Sequence, residues 1–97
     1  MNIEATLQSM PSKPGAYIFK DNNGRVIYVG KAKRLKNRVR SYFSSSDNSA
    51  KTRAIRNNLN EIEFIVTDTE IEALILECNL IKKYRPKYNI LLKDDKN

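Results

Sequence analysis

Between Pro14 and Gly30 the chain reads PGAYIFKDNNGRVIYVG. Two runs of aromatic and β-branched residues flank Asp21 to Gly24, a cluster of turn formers, and that combination specifies an antiparallel hairpin. Expected strands run from Ala16 to Lys20, opened by Gly15, and from Val26 to Val29, ended by Gly30. Side chains alternate along a strand, so the parity of the turn decides which residues share a face. An even loop, Asn22-Asn23 or Asn23-Gly24, puts Tyr17, Tyr28 and Gly30 together; an odd loop separates them.

Around this hairpin the remaining elements are short. Ile3 to Met10 has the spacing of an amphipathic helix, stopped by Pro11 and Pro14. Lys31 to Tyr42 has helical spacing, with Leu35 and Val39 as its apolar pair and Arg34, Arg38 and Tyr42 in a second row. The strand therefore delivers Tyr28 to the entrance of a basic helix. SSSDNSA reads as a polar loop, Lys51 to Asn60 as a second basic helix with Ile55 and Leu59 inward, and Glu63 to Thr67 as a third strand. After Pro86 the chain reads as extended or irregular and ends in charge, the pattern of a fragment from something longer.

Size and composition set the limits. With 97 residues there is room for one domain and one modest core. The formal charge of +7 is clustered: from Lys31 to Arg56 the only acid is Asp47, and from Lys82 to Lys93 there is none. Such a surface attracts polyanions, nucleic acid foremost. Histidine is absent and Cys78 is the only cysteine, which excludes an intramolecular disulfide, a Cys/His zinc site and any mechanism with a histidine base. Cys78 reads as a small buried hydrophobe, and the lack of a signal or a membrane-length apolar run points to a cytoplasmic protein.

The segment from Thr69 to Lys83 has the strongest helix signal, with Thr69 placed to cap it and Glu72 placed for a capping box. Glu72, Asn79 and Lys83 form its polar face, and Glu77 lies nearly opposite, among Ala73, Leu74, Leu80 and Ile81. A carboxylate on an apolar helix face costs several kcal/mol unless something pairs with it. Glu77 is therefore the acid least explained by solvation; a long-range pairing with an arginine and a metal or catalytic role both account for it.

Gly15-Ala16-Tyr17 on one strand and Tyr28-Val29-Gly30 on the next, followed by Lys31, Arg38 and Tyr42, then Glu77 and Asn89, resemble the GIY-YIG nuclease superfamily. The runs PGAYIF, IYVGKAKRLKNRVRSYF and EALILECNLIKKYRPKYNILLKDDK are similar to the N-terminal domains of the UvrC excinuclease subunits of bacterial nucleotide excision repair. Ala16 and Val29 replace the isoleucines that name the motif, at buried strand positions where size is what matters.

The resemblance implies an α+β fold, a small three-stranded antiparallel sheet flanked by helices. It implies an endonuclease that cuts the damaged DNA strand on the 3′ side of a lesion after loading by UvrB. It also implies one divalent ion, Mg²⁺ with Mn²⁺ as a substitute, held by Glu77 as the only protein ligand. Tyr28 is then the favoured general base. Tyr17 and Tyr42 line the site beside Lys31 and Arg38, and Asn89 is counted within it. A tyrosine with an ordinary pKa near 10 needs positive neighbours to act as a base; Lys31 and the helix bearing Arg38 are the expected source. Lys33, Lys36 and Arg40 are expected DNA-backbone contacts, Gly15 and Gly30 are structural, and Tyr84 and Tyr88 are left to packing or base stacking. Two alternatives stand beside this reading: a basic nucleic-acid-binding module without catalysis, and a standalone or shorter nuclease of the same superfamily.

Overall fold

The computed structural model describes residues 2–44 and 48–91. Their elements are α1 (Ile3–Ser9), β1 (Gly15–Lys20), β2 (Val26–Ala32), α2 (Leu35–Arg40) with a 3-10 turn at Ser41–Phe43, α3 (Ala50–Asn58), β3 (Glu61–Val66), α4 (Glu70–Tyr84) and α5 (Lys87–Leu91). Part of the expected polar loop, residues 45–47, and the charged end, 92–97, lie outside the described residues. The strands form one antiparallel sheet in the order β2-β1-β3, as expected of the fold class.

The hairpin loop between β1 and β2 holds five residues, not two. Asp21 organises it: its Oδ1 accepts from the N–H groups of Asn23 (2.9 Å) and Arg25 (3.0 Å), and Gly24 adopts φ +78°, which glycine does without steric cost. Five is odd, the parity that separates Tyr17 from Tyr28. A bulge restores the register: Lys20 pairs with Val26 but Phe19 pairs with Tyr28, so Ile27 is an extra residue. Beyond it Tyr17, Phe19, Tyr28 and Gly30 share a face as the even-loop reading requires.

Strand β2 does not stop at Gly30. It runs to Ala32 because Gly15 and Ala16 of β1 continue the ladder opposite Ala32 and Lys31. Helix α2 consequently starts at Leu35, four residues later than the spacing suggests, and its opening N–H groups are satisfied by the proline segment: Leu35 donates to Lys13 O (2.9 Å) and Lys36 to Pro11 O (3.2 Å). Gly15 sits where this junction is tightest, since a Cβ there would overlap Ile65 O and the Leu35 side chain.

The sheet's two faces are covered unequally. On one, Tyr17, Phe19, Tyr28 and Ile62 pack with Leu7, Met10, Leu35, Val39, Tyr42, Ile55 and Tyr88 into the main core. On the other, Ile18, Val26 and Val29 meet Leu80 and Ile81 of α4. Thr69 caps α4 as expected, accepting from Glu72 N (3.1 Å), while Glu72 Oε1 accepts from Asp68 N (2.9 Å). The expected wide apolar face of α4 is not buried: Ala73 alone is fully covered, and Ile71 and Ile75 are 70% and 56% exposed. Cys78 is also exposed, against the expectation, because it continues the outward row Ile71, Leu74 and Ile75. Beyond Pro86 the chain forms the short helix α5 instead of an irregular segment, with Tyr88 buried. Among the described residues no helix is long and apolar enough to cross a membrane.

Candidate active site

Three phenols meet on the core face. The ring centroids of Tyr17, Tyr28 and Tyr42 lie 6.3, 5.8 and 6.2 Å apart pairwise (Tyr17 to Tyr28, Tyr17 to Tyr42, Tyr28 to Tyr42). Tyr17 and Tyr42 share a hydroxyl–hydroxyl hydrogen bond of 2.9 Å, and Arg38 Nε donates to the Tyr17 oxygen at 3.4 Å while its guanidinium carbon stands 5.5 Å from the Tyr42 ring centre. Gly30 makes this possible: a Cβ built there would overlap the Tyr17 ring and hydroxyl. Burial is the main reason the Tyr17 pKa is pushed up from 10.0 to about 12, with the neighbouring Tyr28 adding to the rise and Tyr42 and Arg38 partly opposing it. Burial, then Tyr17, drives Tyr42 further in the same direction. Both phenols hold their protons.

Tyr28 is bonded differently. Lys51 Nζ, on the first turn of α3, donates to its hydroxyl at 3.2 Å and lies 5.1 Å from its ring centre. Lys31 was the expected cation for this tyrosine, and the structure corrects that. Three residues along a continuing strand is an odd step, so Lys31 projects from the opposite face. There its charge acts on Glu77.

Glu77 lies in the sheet-facing row of α4 with Ala73 and Leu80. The carboxyl is half-buried and not enclosed by apolar side chains as the sequence suggests, because the outward half of that apolar set is exposed. Desolvation raises its pKa above the ordinary glutamate value, and the Lys31 ammonium offsets part of the rise. Among the described residues it makes no hydrogen bond and no ion pair, which leaves the long-range arginine pairing unrealised.

An open groove of about 650 Å³ runs between α2 and α4 past the end of β2, lined by Lys31, Lys33, Arg34, Asn37, Arg38 and Ser41 with Glu70 and Ala73 opposite. Glu77 is one helical turn beyond Ala73. The lining positions 34, 37, 38 and 41 follow the i, i+3, i+4, i+7 rule, a signal legible in the sequence that would have included Asn37 and Ser41. Lys33 reaches the groove and stands 3.8 Å from Glu70, both side chains exposed. Lys36 and Arg40 project from other sides of α2 and do not line it.

Asn89 sits on α5 against the outer edge of β2. Its Oδ1 accepts from Val29 N (2.8 Å) and its Nδ2 donates to Val29 O (2.9 Å), so one amide completes the ladder of an edge strand. Tyr88 accepts from Asn58 Nδ2 (3.1 Å) and Tyr84 is exposed. Sequence reasoning missed Lys51 and also Arg56, whose Nη1 donates to Tyr42 O (2.8 Å). No local pattern marks either, since both partners are distant in sequence.

A family model of the UvrC-like GIY-YIG domain matches residues 13–90. The UvrABC system protein C of Caldicellulosiruptor saccharolyticus is 60% identical over 97 residues, covering 100% of this chain, and that of Clostridium botulinum is 64% identical, covering 99%. The chain spans 16% of the length of these curated relatives. Among solved structures, the GIY-YIG N-terminal endonuclease domain of UvrC from Thermotoga maritima, bound to its catalytic divalent cation magnesium, is 51% identical and superposes with a TM-score of 0.82 over 91% of this chain and 96% of that one. With the family model covering most of its length and these relatives matching it end to end, the chain belongs to the UvrC-like GIY-YIG domain family.

Proposed function

We propose that this chain is the nicking domain of an excision-repair endonuclease, hydrolysing one phosphodiester of damaged double-stranded DNA 3′ to the lesion, in a longer protein loaded by UvrB. The observation that carries the reading is Glu77: a half-buried carboxylate, without a partner among the described residues, beside Lys31 and one helical turn from Ala73 of a cation-lined groove that also holds Arg38.

The donor set suits a hydrated ion. Among the described residues no cluster of three or more His, Cys, Asp or Glu exists, so Glu77 acts as the single carboxylate and water supplies the remaining ligands, as Mg²⁺ prefers and Mn²⁺ accepts. When bound, such a cation neutralises charge on the scissile phosphate and on the departing oxygen.

The protein's own groups supply the rest. Arg38 presents a planar fork to the phosphate, and its bond to Tyr17 fixes the direction of that fork. Tyr17 and Tyr42, kept protonated, are orienting groups and hydrogen-bond donors. Tyr28, once its own proton has passed to solvent, is the proton acceptor for the attacking water, and Asn89 holds the strand that carries it. Lys33 and Arg34 line the path of the DNA backbone.

The test is Mg²⁺-dependent incision of a lesion-bearing duplex by the full-length protein with UvrB. Glu77→Gln is expected to leave the fold and DNA binding intact and to abolish the 3′ cut. Incision at the wild-type rate by that variant removes the metal-ligand role and leaves a basic binding module.

A further inference from the structure

We propose that Lys51 is a positioning residue for the reaction, acting through the Tyr28 hydroxyl; this rests on the nuclease reading above. An ammonium has three donors and no acceptor. At 3.2 Å from Lys51 Nζ, the Tyr28 oxygen must therefore be the acceptor, and its own proton has to point to another group. The lysine also lies 5.1 Å from the ring centre, so oxygen and ring are both held by one cation.

The contrast with the other two phenols sharpens this. Tyr17 and Tyr42 bond each other, and burial keeps both protonated. Tyr17 also accepts from a cation, Arg38 on α2; Tyr28 shares the same cluster, and its hydroxyl accepts from a different cation, Lys51, brought in from α3. A phenol accepts the attacking water's proton only after its own has passed to solvent; the negative charge then on the oxygen needs a cation already in place, and Lys51 is the cation in place. The position is fixed from outside the sheet: Ser49 caps α3 by accepting from Thr52 N (3.2 Å), which sets the helix's first turn, where Lys51 resides.

Single-turnover nicking by the full-length protein with UvrB and Mg²⁺, measured across DNA concentration, separates this role from a phosphate contact. Lys51→Met keeps an unbranched side chain of similar length without the charged donor and is expected to slow the rate at saturating DNA by about tenfold with the apparent Kd unchanged. Lys51→Arg, which retains a charged donor, is expected to recover most of that loss. The proposal is overturned by a Lys51→Met rate equal to wild type, by a loss confined to Kd, or by Lys51→Arg as slow as Lys51→Met. Wild-type protein that fails to nick sinks the nuclease reading and this proposal together. Wild-type nicking with an unimpaired Lys51→Met sinks this one alone.

Discussion

The two faces of the sheet are built to different standards of dryness. The tyrosine face is closed by α1, α2, α3 and α5, and Tyr17, Phe19, Leu35, Val39 and Ile55 there are at most 1% exposed. The α4 face is closed by one helix that commits Ala73, Leu80 and Ile81 to the sheet and leaves Ile71, Leu74 and Ile75 outside. The difference fits what each face carries. Phenols that must hold a fixed mutual geometry are locked by close packing. A carboxylate suited to a hydrated cation has to remain reachable by water, and Glu77 is half-covered. Arg38, on the helix beside the groove, touches the dry side through Tyr17 and faces the wet side with the rest of its guanidinium.

After the loss of cutting expected of Glu77→Gln, the largest effect falls where the faces meet. Arg38→Ala removes the proposed phosphate fork and the donor to Tyr17, and should slow nicking by about 10²- to 10³-fold while weakening DNA binding far less; rate and Kd measured on the same preparations check it. An equal loss in both would assign Arg38 to binding alone. Packing comes next. Leu35→Ala, in the closed core, should cost about 2–5 kcal/mol, whereas Ile75→Ser on α4 should stay within about 0.5 kcal/mol, both by denaturant unfolding. Similar costs at the two sites would erase the distinction between the faces.

Tyr17→Phe should cost about 1–3 kcal/mol because the buried Tyr42 hydroxyl loses its partner. It should also alter the alkaline limb of stability. Between pH 10.0 and about 12 the unfolded chain releases the Tyr17 proton and the folded chain keeps it, so stability falls as pH rises through that window. Removing the hydroxyl makes the fall shallower, though not absent, since Tyr42 is shifted the same way.

The smallest effect on stability is expected at Glu77. Its folded pKa is raised, so its contribution to stability declines as pH climbs through the carboxylate range, whereas Asp21, lowered mainly by its bond from Arg25 N–H and then by that from Asn23, acts in the opposite sense. Comparing Glu77→Gln with wild type cancels Asp21. Without metal, the variant should match or slightly exceed the wild-type melting temperature at neutral pH. A clear loss of stability would mean that Glu77 has a structural partner.

What could be read in advance divides along the same line. The hairpin, the capped α4 and the inward Leu35, Val39 and Ile55 were legible because turn formers, caps and helical spacing are local signals. The shared face of Tyr17 and Tyr28 was reached through an even loop, whereas the molecule uses an odd loop and a bulge at Ile27, a compensation that no pattern in the residues marks. Lys31 reads as a neighbour of Tyr28 only if the strand ends at Gly30; the ladder with β1 prolongs it and turns Lys31 to the other face. The apolar residues of α4 were expected to be buried, since hydrophobicity records what a surface can cover and not whether something covers it. Asn89 and Lys51 act across 60 and 23 residues of sequence, respectively, beyond the reach of any spacing rule.

The most direct test is crystallographic: Mn²⁺ diffused into crystals of this domain and located by its anomalous signal, in wild type and in Glu77→Gln. One ion bonded to a Glu77 carboxylate oxygen, with water completing its shell and no ion in the variant, is the predicted result. An ion held instead by Glu70 and Glu72, or a Glu77 carboxylate that stays bare in saturating Mn²⁺, would contradict the assignment.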